Sequence, residues 1–194
     1  YERAETVAPD SEEHTQWLTE AAEAFEKIYQ QYRNWLAGRY ALLYQARCYQ
    51  DLGRLDDALS MFNELILQED DSPSYRRLKT KAFQSAIDCW CSPEQNKYVE
   101  AILQGANWFH QMRPNEAASI EWLEFRLSLA HAYVFGAEAV TKDDSGSPQI
   151  SKYQSSARKH AQAVVKRAGG DLRKQAQEIL AMFSGYEQPT VATE

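Results

Sequence analysis

Residues 39–72 read RYALLYQARCYQDLGRLDDALSMFNELILQEDDS, and their spacing decides the fold. Leu42, Ala46 and Tyr49 recur at steps of four and three, so they share one face of a helix. Gly53 can turn left-handed at no steric cost, which ends that helix. Leu55, Ala58, Leu59, Phe62, Leu65 and Ile66 then restart the period on a wide apolar face. Two helices joined by so short a turn lie side by side and antiparallel. Ala46 and Ala58 are the small residues that let them approach, and Tyr49 and Phe62 fill the space beside them. The acidic run Glu69-Asp70-Asp71 breaks the pattern before Ser72.

Working outward, the same signals recur. Leu18, Ala21, Phe25, Ile28 and Tyr32 step by three and four, which predicts a helix over 11–33 with Ser11 as its N-cap. The hairpin's own helices are expected over 35–52 and 55–67. Ser-Pro pairs at 72–73, 92–93 and 147–148 each read as a capped helix start, since proline suits the first helical position. They predict helices over 73–90, 93–112 and 148–168, with Gln95 placed to close a capping box on Ser92. A long helix is expected over 115–139, then a polar loop over 141–147. Gly169-Gly170 stops the seventh helix and Asp171 is expected to cap an eighth, ending near Ser184-Gly185. Residues 1–10 show no apolar period and read as a disordered lead-in, and 185–194 as a frayed tail. No segment alternates with period two. The expected architecture is all-α, about eight helices in antiparallel hairpins, forming a single domain over 11–184.

Leu42, Ala46, Tyr49, Gly53, Leu55, Ala58 and Phe62 stand at the spacings of one 34-residue unit, and there the chain resembles the tetratricopeptide repeat family. Looser units follow. Leu129-Ala130-His131-Ala132-Tyr133 is similar to a first helix, with Ala157, Ala161 and Val164 as its second. Leu78, Ala82, Ser85 and Cys89 keep first-helix spacing, while Ala101 and Trp108 fit poorly as their partner helix. The resemblance implies hairpins stacked into a short right-handed superhelix whose concave face is lined by first helices. It implies a non-catalytic scaffold that binds a peptide or a partner's helix in that groove. The lining positions it gives are Tyr40, Leu43, Arg47 and Gln50, then Arg76, Lys79 and Phe83, then Glu124, Leu127 and His131. The family members that clamp a chaperone's carboxylate tail use a set of Lys, Asn and Arg. Here Tyr40, Leu43 and Gln50 stand at several of those positions, so that subset is not expected. The irregular bundle is the alternative packing of the same helices. A self-associating structural spacer of a larger envelope protein is the alternative role, since unmatched half units at both ends would present apolar faces.

Composition narrows the classes further. The net charge of −7 disfavours nucleic acid, whose phosphates need Lys and Arg. No apolar run is long enough to span a membrane. Cys48, Cys89 and Cys91 form no disulfide framework or zinc pattern, and Cys89 and Cys91 fall on different faces of a helix. His14, His110, His131 and His160 share no metal-ligand spacing, and neither a phosphate loop nor a nucleophile elbow occurs. No cofactor, metal or catalytic residue is therefore expected. Arg158, Lys159, Lys166 and Arg167 make a basic strip on the seventh helix, read first as a solvated face and second as a surface for an acidic partner or lipid. The chain opens on Tyr1, which fits an excised mature domain and inclines the expectation toward the bacterial envelope.

Overall fold

The computed structural model describes residues 11–183. Among them are eight helices and no strand: α1 (Glu12–Tyr32), α2 (Leu36–Asp51), α3 (Leu55–Ile66), α4 (Pro73–Trp90), α5 (Tyr98–His110), α6 (Ile120–Asp143), α7 (Pro148–Arg167) and α8 (Gly170–Met182). The expected lead-in over 1–10 and tail over 185–194 both lie outside the described residues.

Serine starts half of these helices. The side-chain oxygens of Ser11, Ser72, Ser119 and Ser147 each accept a backbone N–H of the first turn. That satisfies one of the donors every helix leaves unpaired. Ser92-Pro93 is the exception, and the expected start of α5 is corrected. Ser92 Oγ accepts from Gln95 N at 3.3 Å, but Asn96 then takes φ 47. A left-handed residue cannot continue a helix. Lys97 N donates back to Trp90 O at 2.7 Å, and the helix begins only at Tyr98. Gln95 closes no capping box, because its amide reaches Asp56 Oδ1 at 2.9 Å. The sixth helix also starts later than expected. Turns fill 114–118, with Glu116 accepting from Arg113 N at 2.8 Å, and Ser119 is the cap. The helix then runs on to Asp143, where Thr141 Oγ1 donates to Ala137 O instead of opening a loop. Gly169, not Asp171, holds the N-cap position of α8; Asp171 sits in its first turn.

The contacts gather into two compact units, divided after Lys97. In the first, α1 packs on α2, α2 on α3, α3 on α4, and α2 also on α4. In the second, α5 packs on α6, α6 on α7, α7 on α8, and α6 also on α8. The pattern is the same in both. Each holds a lone second helix, one complete hairpin, and the first helix of the next.

The first unit's hairpin confirms the physics of its spacing. Ala46, Ala58, Phe62 and Leu65 are fully buried. Tyr49 is half-buried against Leu18, Ala22 and Cys48, so it fills the α1 side of α2 rather than the α3 side. Gly53 takes φ 71 at the turn. Gly38 closes the α1–α2 corner, where an added Cβ would stand 2.2 Å from the Tyr32 carbonyl oxygen. In the second unit Leu123, Leu127, Ala130 and Val134 of α6 form one core with Ala157, Ala161 and Val164 of α7 and Ala176 and Ile179 of α8.

Candidate functional site

The hairpin geometry makes α2 and α4 parallel, since each runs antiparallel to α3. Their direct packing leaves one outward stripe on each helix. On α2 the residues that keep solvent exposure at helical spacing are Tyr40, Tyr44, Arg47 and Asp51; on α4 they are Arg77, Lys81, Gln84 and Asp88. Arg47 ties the stripes together. Its Nε donates to Ser85 Oγ at 3.2 Å, and its guanidinium lies 6.0 Å from the Tyr44 ring centre. Tyr44 stacks in turn on Phe25 of α1 at 5.5 Å. The middle of this face is therefore an aromatic ledge with a positioned cation, a combination suited to polypeptide contact.

The C-terminal ends of α2 and α4 meet at a cleft of about 480 Å³, lined by Gln50, Asp51, Asp88 and Glu94 with His14 and Thr15 of α1. Asp51, Asp88 and two helix C-termini make it electronegative. Arg77 and Lys81 lie toward the other end of α4. The face thus runs from basic to acidic along the helices. Cys89 also lines the cleft, but it is 1% exposed and burial pushes its thiol up to about 12, which removes it as a nucleophile.

Several residues expected to line a groove are placed elsewhere. Leu43 is fully buried, because α2 is packed by α1, α3 and α4 at once. Phe83 is buried on α4 and Leu127 belongs to the second unit's core. Arg76 is 4% exposed and pairs with Asp71 at 2.9 Å, holding the first turn of α4 to the preceding loop. Lys79 donates to Gln68 O at 2.6 Å, and burial lowers its pKa. Both basic side chains tie α4 to the chain leaving α3. Tyr40, Arg47 and Gln50 keep partial exposure, as do Glu124 and His131 on α6. Burial holds the His131 imidazole below its usual range, against the opposing pull of Glu178 on α8. Tyr44, Asp51, Gln84 and Asp88 were missed. Their spacing of three and four was readable, but the family register led to their neighbours.

Residues 18–82 match the tetratricopeptide repeat family model. The matched stretch holds most of α1, the whole α2–α3 hairpin and the first half of α4. No curated protein and no solved structure matches the chain. The match supports a protein–protein interaction module with protein partners, and the family is typically non-catalytic. Among the described residues no group of three or more His, Cys, Asp or Glu is arranged to hold a metal ion, and no helix is long and apolar enough to cross a membrane.

Proposed function

We propose that the protein is an interaction scaffold that binds an extended segment or helix of a partner along the α2–α4 face of its first unit. The match of residues 18–82 to the repeat family carries this reading. Tyr40, Tyr44 and Arg47 form its central contact. A partner with a basic group toward the Asp51–Asp88 end and an acidic one toward Arg77 and Lys81 complements the face. Like charges in the reverse order repel, so the gradient selects one direction of the bound segment.

The experiment is capture from source lysate, comparing the wild type with Tyr40→Ala/Arg47→Glu after circular dichroism has confirmed equal helicity. Loss of a captured protein by the variant supports the α2–α4 face. Capture of the same proteins by both places binding elsewhere.

A second reading is self-association. Trp35 and Leu67 are 71% and 79% exposed at the end of the first unit where α1 and α3 finish and α2 begins. Large apolar residues left in water favour contact with another surface. Light scattering across a concentration series tests it: a monomer throughout removes the reading, and an oligomer dispersed by Trp35→Ser/Leu67→Ser supports it.

A further inference from the structure

Within the second unit, α5, α6 and α7 bring together a group of basic side chains that nothing in the fold explains. Arg126 on α6 is 7% exposed, and its guanidinium lies 5.0 Å from the Phe109 ring centre. Its Nε is buried with no hydrogen-bond partner, and among the described residues Arg126 makes no ion pair. His160 on α7 is 6% exposed, set edge-on to Phe109 at 4.7 Å and stacked on Tyr133 at 5.8 Å. Its Nδ1 has no partner either.

The groups that act electrostatically on this pair are all basic. Arg167 acts on Arg126; Arg126, Lys159 and His110 act on His160. His110 and Arg167 end their helices and suit the dipole there. Arg126 does not: it lies more than a turn inside α6, in a packed position. A buried guanidinium without an anion is a costly arrangement, and replacing it with an apolar side chain ordinarily stabilises a fold. A buried ionisable group held under such strain is a mark of a functional site.

We propose that Arg126 and His160, floored by Phe109 and rimmed by Lys159 and Arg167, form a site for a side-chain carboxylate of an acidic protein segment. A guanidinium edge is a planar fork that matches a carboxylate with two parallel hydrogen bonds. With Arg126 only 7% exposed, little room is left for an anion beside it, which suits one flat carboxylate better than a tetrahedral phosphate. The chain's net charge of −7 disfavours a long polyanion such as nucleic acid, while a single acidic side chain meets only the local basic rim. The basic strip on α7 is thereby divided. Arg158 lies over the Phe183 ring at 5.1 Å, whereas Lys159 and Arg167 serve this site. The site lies wholly within the second unit and does not depend on the α2–α4 face; it takes from the proposed function only that the ligand is a protein segment.

The test uses the full chain, with a blocked decapeptide of alternating Glu and Gly as probe, its Gln version as control, and inorganic phosphate as competitor. The Arg126 Nε–H and His160 ring resonances are followed by NMR. The acidic peptide is expected to shift both signals to saturation and the neutral peptide neither. Arg126→Met is expected to weaken the peptide about tenfold or more while raising Tm, a combination that a merely structural arginine would not give. Lys159→Gln/Arg167→Gln, both exposed, should weaken it about threefold and flatten its salt dependence. Tyr40→Ala/Arg47→Glu should leave it unchanged, which separates this site from the α2–α4 face. Three outcomes overturn the proposal. One is no shift with the acidic peptide. Another is equal saturation by phosphate with no effect of peptide. The third is movement of the free protein's Arg126 signal in Glu187→Gln/Glu194→Gln, which would assign the site to the chain's own terminal carboxylates.

Discussion

His160 shows how burial sets the chemistry of one side chain. Desolvation, with the basic groups Arg126, Lys159 and His110 around it, pushes its pKa from 6.5 down to about 3. The imidazole stays neutral in the folded state while the unfolded chain takes a proton below 6.5. The group's contribution is therefore complete above that value and is lost as pH falls from 6.5 toward 3. At about pH 5 the loss is about 2 kcal/mol. Urea unfolding of wild type and His160→Phe at neutral and mildly acidic pH checks this: the wild type should lose about that much more than the variant. Parallel pH dependence of the two would mean the histidine is not held neutral. Residues of this kind are poorly legible in a sequence. His160 lies on an amphipathic helix like any other polar position, and it is the distant rings of Phe109 on α5 and Tyr133 on α6 that make it interior. Leu43 and Tyr44 show the converse difficulty: both fit a helix face, and the packing of α4 on α2 decides which is covered.

At the scale of elements, local chemistry was readable where it was self-sufficient. The hairpin of α2 and α3 needed only its small residues, its apolar period and Gly53, and it stands within a residue of the expected bounds. Ser72-Pro73 and Ser147-Pro148 began helices as their chemistry dictates. Ser92-Pro93 carries the same signal, yet the chain must return to Trp90 O and place Gln95 on Asp56, and those bonds lie outside any local window. Ser119 was missed because Arg113-Pro114 offered an earlier start. The two serines consequently differ in worth. Ser119→Ala should destabilise by about 1 kcal/mol, the usual value of an N-cap. Ser92→Ala should cost less, since it caps a turn that leads to no helix. Chemical denaturation of the two variants measures the difference, and an equal loss would contradict the assignment of Ser119 as the cap of α6.

At the scale of the molecule, one arrangement of four helices occurs twice, although only its first copy carries a clear repeat spacing. The second copy conserves contacts and not motif: α6 on α7 and α8 repeats α2 on α3 and α4, with Leu127, Ala161 and Ile179 doing the packing. Assemblies of this kind draw stability from each unit and its immediate neighbours. A core lesion should therefore be felt mainly in its own unit. Phe62 is fully buried in the first, and Phe62→Ala should cost about 3–5 kcal/mol there. Hydrogen exchange read by mass spectrometry gives the distribution. Amides of α1–α4 should exchange faster in the variant, while those of α5–α8 keep most of their protection. Equal acceleration of both sets would mean that the chain opens as one cooperative body, and the twofold pattern of contacts would then describe its architecture without describing its energetics.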